Sequence, residues 1–485
     1  MSKSILSSVA KNLHASEAGV RLLISISLGL PIALLHKYIF YQKCPIRQHI
    51  FFTVCGVLIC IWNYGINTFH SAVAVLVTYC VLKCFGGTSI SVLFTFAFNM
   101  IYLLWGYYVT STSDYDIKWT MPQCVLTLRL IGLTFNVFDG QKPPEKLSAL
   151  QKQVALKEKP TFLEIVAFIY FPGSFLVGPQ FNMKRYLDYV YGQQVIDDKS
   201  DESNEKRAAA LNNSLVPGII RMLTGFVYLA LYQLSVLYIP DQYILSTKFQ
   251  QHNFLIRLLL IGFWGHFNLY KYIACWLLAE GVCTAFGLTY NGEDEKGQPL
   301  WNGCENVKLL QFEMATKFND YIMSFNINTN TWSAEYIYKR LKFLGSRLYS
   351  QFFTLLFLAV WHGFHSGYYI CFFLEFIIMY MEKDIIQILE KHQKLLKLLE
   401  KHPQLQILCN IFLKIYTFIF MGYSLVPFIL LSYRRYHQVY SSVYYCGHII
   451  YLSYPFISIL IKKFLFKKNA PRRSNSNAAN SIKDE

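Results

Sequence analysis

Charge is scarce in this chain. Only 15% of its 485 residues are Asp, Glu, Lys or Arg, which leaves too little polar surface for a water-soluble domain of this size. Paired cysteines are also lacking. The 12 cysteines are scattered singly, without a Cys-x-x-Cys pair or a Cys/His array at zinc spacing, so neither a disulfide framework nor a metal site is indicated. Cys80 and Cys84, four apart, share a helix face and read as small packing residues. Lys and Arg outnumber Asp and Glu by 45 to 29, a formal +16, yet no basic run is interleaved with aromatics in a polar segment. Nucleic acid is therefore not an expected partner; the excess suits loops held against anionic lipid.

What is present is apolar: 54% of the residues are hydrophobic and 17% aromatic. Long apolar segments recur at 19–35, 50–63, 69–84, 87–108, 121–136, 161–178, 217–239, 254–286, 349–360, 366–381, 406–432 and 441–466. The expected fold is all-α, a polytopic membrane protein of roughly 11 transmembrane helices with re-entrant segments. Residues 1–85 are expected to form N-terminal membrane helices, 86–466 a catalytic membrane core, and 467–485 a basic, disordered cytosolic tail. The first span follows a polar start without a small-residue cleavage site, which reads as an uncleaved anchor. Segments 140–160 and 196–214 are too rich in proline and charge for the hydrocarbon layer and read as loops or surface helices. From Ile385 to Leu399, apolar residues at three- and four-residue intervals oppose Lys391, Lys394 and Lys397 until Pro403, the pattern of an interfacial amphipathic helix or of a connector packed on the protein.

Against this background "LAVWHGFHSGYYICFF" (358–373) is unusual, because it sets His362 and His365 inside an apolar run. Ionisable groups at membrane depth need a partner or a polar cavity and are functional candidates by default. Trp361, Gly363, Gly367, Tyr368 and Tyr369 supply close backbone approach and polar-tipped aromatics, as a cavity wall requires. His362 is the catalytic candidate and His365 a supporting one. Upstream, "SFNINTNTW" (324–332) carries three asparagines. Asn328 and Asn330 suit a buried turn, whereas the amide of Asn326 can donate to an oxygen beside a general base.

"SFNINTNTW", with Asn326 standing 36 positions before the His362 of "WHGFHSGYY", resembles the membrane-bound O-acyltransferase family, and the likeness is closest to its lysophosphatidylcholine-type lysophospholipid acyltransferases. The blocks at 115–140, "FPGSFLVGPQF" (171–181), 286–310 and "GYSLVPFILL" (422–431) agree with it, whereas Phe325, where many members have Trp, is a departure that fits the lysophospholipid branch better than the protein-acylating one. The resemblance implies transfer of a fatty acyl group from acyl-CoA to the free hydroxyl of a lysophospholipid, with His362 and Asn326 at the centre. It implies no cofactor, acyl-CoA being a co-substrate, and membrane lipids as partners in the endoplasmic reticulum, with a homodimer left open. It also places Gln180 in the chamber wall, where Gly178 and Pro179 can break a helix.

Lys339, Arg340 and Lys342 are candidate acyl-CoA contacts at a basic cytosolic mouth, and Arg129 is a weaker one; each also suits a charge snorkelling to the interface. Two rival readings remain. One is an acyltransferase for a peptide or sterol hydroxyl. The other is a transporter with a histidine proton relay, which requires ionisable residues along several spans; charge here is expected in loops and near helix ends.

Overall fold

The computed structural model describes residues 5–12, 15–112, 116–193, 211–392, 397–399 and 401–466. Helices joined by loops make up the described chain, with two isolated bridges, Glu293 to Pro299 and Val307 to Phe325, in place of a sheet. The protein is an all-α, multi-pass membrane protein. Six of its described helices are long and apolar enough to cross a bilayer, or seven if the sharply bent pair Tyr433–Ser442 and Cys446–Lys463 forms one span. This is fewer than the roughly 11 expected from apolar runs. The difference has a physical cause: helices that face other helices can carry polar residues, so their composition no longer marks them as lipid-facing.

Six helices build the region of interest: α1 (Thr120–Gly140), α2 (Phe254–Phe286), α3 (Ile327–Tyr336), α4 (Arg347–His362), α5 (Ser366–Lys391) and α6 (Pro403–Leu430). The central helix α1 is buried along most of its length. The Leu215–Tyr238 helix lies along α2, and Gly218, Gly225 and Gly281 let the two backbones approach until an added Cβ would clash. Small residues at such a crossing are how membrane helices gain packing contacts that lipid cannot supply.

Several local expectations change. Residues 385–391 continue α5 rather than opening an interfacial helix, and Pro403 starts α6, where its missing N–H costs nothing. Residues 393–396 and 400 of that run, like the 467–485 tail and 194–210 of the polar loop, lie outside the described residues. Cys80 and Cys84 are exposed rather than packed inside. Charge is not confined to loops and helix ends: Arg129, Glu280 and Asp384 are buried within helices. Each is satisfied internally, Asp384 by Tyr454 at 2.9 Å, Ser458 at 2.5 Å and Lys462.

Candidate active site

The two glycines around His362 have separate tasks. Gly363 adopts φ 122°, ψ −161°, a conformation that a side chain resists, and so ends α4 with His362 as its last residue. Gly367 opens α5 against α6 so closely that an added Cβ would lie 1.9 Å from the Pro427 carbonyl oxygen. Pro427 has no N–H to bond the carbonyl of Tyr423 four residues back, and that carbonyl instead accepts the Tyr440 hydroxyl at 3.1 Å.

These contacts set three rings around His362. Its ring centroid lies 5.3 Å from Tyr368, 5.4 Å from Phe372 and 5.1 Å from Phe428. Tyr368 and Phe372 are one turn apart on α5 and so present one face. Among the described residues, nothing hydrogen-bonds to either imidazole nitrogen, and the residue keeps partial accessibility. Trp361, next to it, is buried and donates from Nε1 to the Cys124 carbonyl at 3.1 Å, anchoring the end of α4 on α1. Tyr369 points elsewhere on α5 and is not among the rings around His362. His365 precedes α5 with its ring 5.9 Å from Tyr368; it does not touch His362.

Asn326 stands at the entry to α3 in the left-handed region, φ 51° and ψ 42°, which asparagine tolerates better than other side-chain-bearing residues. Its Oδ1 accepts from Asn306 Nδ2 at 3.5 Å. The neighbouring asparagines do satisfy backbone: Asn330 Nδ2 donates to the carbonyls of Ile322 at 2.9 Å and Phe325 at 3.0 Å, and Asn328 Nδ2 to Cys304 at 3.1 Å. Asn326 and His362 make no hydrogen bond to each other. Phe325, next to Asn326, and Phe428, whose ring faces His362, both pack against one hydrophobic cluster that includes Tyr270, Ile273 and Leu277 of α2. The ring of Trp276 lies 5.0 Å from that of Phe325. Among the described residues neither the imidazole nitrogens of His362 nor Asn326 Nδ2 has a hydrogen-bond partner, so each keeps the group that taking a proton from a hydroxyl or donating to an oxyanion requires.

Gln180 lies apart from His362 but close to the asparagine segment: Gln180, Arg129, Asn328, Trp332 and Glu335 line one cavity of about 120 Å³. Its amide is held at both ends, Nε2 donating to the Val125 carbonyl at 2.8 Å and Oε1 accepting from Arg129 Nε at 3.3 Å.

Among the described residues Arg129 has no carboxylate partner. Its remaining donors reach the carbonyls of Phe168 at 3.2 Å, Ile169 at 3.3 Å, Ser174 at 3.2 Å and Pro179 at 3.1 Å. The guanidinium also lies over the rings of Phe181, at 4.7 Å, and Phe168, at 5.4 Å. With its donors engaged in this way, Arg129 organises the non-helical stretch after Ile169 rather than offering a free cation to a nucleotide. Carbonyls left unpaired by the broken helix need such a fork. Arg129→Met is therefore expected to destabilise the protein by at least roughly 1–3 kcal/mol, the cost of leaving a buried acceptor without its donor, read as a lowered thermal midpoint in detergent. Arg129→Lys should recover only part of this, since an ammonium has three donors and no planar fork; full recovery would contradict the role.

The basic residues after α3 are also engaged. Arg340 pairs with buried Asp139 and lies 4.9 Å from the Phe135 ring centroid, and Lys339 pairs with Glu335. Lys342 is exposed. Asn306, Phe428 and the organising part of Arg129 were not legible in advance; of the three, Arg129 alone gave a signal, as a polar residue standing inside an otherwise apolar block.

Comparison with known proteins assigns the family. Residues 104–426 match the family model described as MBOAT, membrane-bound O-acyltransferase family. Over 458 residues the chain is 43% identical to lysophospholipid acyltransferase 5 of Homo sapiens, covering 94% of this chain and 92% of that protein. It is 43% identical over 450 residues to the Drosophila melanogaster protein of the same name, covering 91% and 87%. Against the Caenorhabditis elegans one it is 32% identical over 483 residues, covering 99% of each. The shared length includes both α3 with its asparagines and the His362 segment, and the chain belongs to the membrane-bound O-acyltransferase family.

Proposed function

We propose that this protein transfers a fatty acyl group from acyl-CoA to the free hydroxyl of a lysophospholipid, lysophosphatidylcholine foremost and also lysophosphatidylethanolamine or lysophosphatidylserine, and so remodels membrane phospholipids in the endoplasmic reticulum. The observation that carries the reading is likeness over nearly the whole chain to proteins named lysophospholipid acyltransferase 5. The site chemistry supports it. A thioester is already activated, so the enzyme has to deprotonate an alcohol, hold the oxyanion and exclude water. His362 takes the hydroxyl proton as the alcohol oxygen attacks the thioester carbonyl, and Asn326 Nδ2 donates to the oxyanion that forms. Collapse of this intermediate breaks the carbon–sulfur bond, and the departing thiolate receives the proton from His362. No cofactor enters these steps, and no acyl-enzyme is needed.

The test is a transfer assay with purified protein. It offers lysophospholipids of several head groups, a sterol and a serine-containing peptide against saturated and polyunsaturated acyl-CoA. Product with lysophospholipids alone is expected. Transfer to the sterol or peptide in preference to every lysophospholipid would overturn the proposal.

A further inference from the structure

Asn326 can serve an oxyanion only if its NH2 group, and not its carbonyl oxygen, faces the reacting centre. Rotation by half a turn about the last side-chain torsion exchanges the two at little intrinsic cost. Something must therefore choose between them.

We infer that Asn306 makes this choice, as a positioning residue that fixes which edge of the Asn326 amide is presented to substrate; this rests on the reading of Asn326 above. The logic follows from hydrogen-bond polarity. The backbone N–H of Asn328 donates to Asn306 at 2.9 Å, so the atom it meets is Oδ1. The other edge of the Asn306 amide must then be Nδ2, which can only donate. It faces Asn326 at 3.5 Å, and the atom it meets there is the Asn326 oxygen. The Asn326 NH2 is consequently directed to the opposite edge.

The selector is itself held rigidly. Asn306 is 2% exposed; its N–H donates to Glu280 Oε1 at 2.8 Å and its carbonyl accepts from Ile327 N at 3.1 Å. Glu280, 3% exposed, is fixed on α2 by Arg221, whose Nε lies 2.8 Å from Oε2 and whose Nη2 also donates to the Val307 carbonyl at 2.8 Å. An ion pair between the Leu215–Tyr238 helix and α2, its carboxylate buried and its guanidinium partly exposed, thus pins the segment that orients Asn326. Removing a partner from such a pair is strongly disruptive, so the informative substitutions are at Asn306 itself.

Two variants give opposite orders under a positioning role and a merely structural one. Asn306→Asp keeps the shape and the acceptor for Asn328 N–H, but turns the donor facing Asn326 into an acceptor that attracts its NH2 to the wrong edge. Asn306→Ala removes the preference and leaves both orientations open. Burial beside Glu280 holds an introduced carboxyl above the usual carboxylate range, so the variants are compared across rising pH; once that carboxyl ionises, Asn306→Asp is expected to lower kcat by about tenfold or more with KM within about twofold. Asn306→Ala should lower kcat by only about two- to fourfold, because half of the orientations remain productive. In the Asn326→Ala background Asn306→Asp should cost no further activity, since it acts through that residue. Thermal midpoints checked alongside establish that each variant is folded under the assay conditions. A kcat for Asn306→Asp equal to or above that of Asn306→Ala, or a full additional loss in the double variant, would overturn the inference. Should Asn326→Ala itself keep its kcat, the role of Asn326 fails instead, whatever Asn306 does. If either variant proves insoluble, the other crossed with Asn326→Ala still decides the matter.

Discussion

Replacing His362 by alanine is expected to reduce kcat for acyl transfer by about 10²- to 10⁴-fold, the usual contribution of a positioned general base, while membrane insertion and thermal stability stay close to those of the parent. The structural reason for expecting so clean a separation is the isolation of this side chain. Its ring touches Tyr368, Phe372 and Phe428 but hydrogen-bonds to nothing among the described residues, so truncation leaves no buried partner unsatisfied. His365→Ala should keep most of the activity, because that ring sits outside the group around His362. Rates in membranes normalised to protein amount would check both variants, and an essential His365 with a dispensable His362 would reverse the assignment.

Asn326→Ala carries the second large effect, a fall in kcat of about 10²- to 10³-fold at near-normal KM, as for removal of one preorganised donor from an oxyanion site. Asn326→Asp should do no better, since a carboxylate cannot donate and repels the developing charge. The control lies one turn on. Asn330 gives its Nδ2 to two backbone carbonyls, Ile322 and Phe325, so Asn330→Ala should cost about 1 kcal/mol of stability and little catalysis. Activity and thermal midpoint measured together separate the two asparagines, and an Asn326→Ala protein keeping over half its kcat would make that residue structural.

The helical, multi-pass architecture was legible in the recurring apolar runs. His362 announced itself as an imidazole in an apolar run, and Gly363 and Gly367 are needed for backbone reasons that sequence spacing could suggest, a helix stop and a close approach. Asn326 was separable from Asn328 and Asn330 only through the family pattern, because all three are polar residues in one short segment. The span count was less legible. Several apolar runs are not spans of their own: 50–63 and 69–84 fall in one long stretch, Pro45–Phe85, and of 161–178 only Phe162–Ile169 is helical. Arg129 was misjudged for a related reason: a cation in a sequence does not reveal that a broken helix will surround it with carbonyls. Asn306 carried no signal at all until Asn328 N–H fixed the orientation of its amide.

The most direct measurement follows radiolabelled acyl-CoA and lysophosphatidylcholine through one assay of the purified protein and its His362→Ala variant, counting labelled diacyl phospholipid and free CoA thiol together. The expected result is one thiol released for each phospholipid formed by the parent protein, with both falling together in the variant. Labelled phospholipid formed by His362→Ala at the parent rate, or thiol released by the parent protein without any phospholipid, would contradict it.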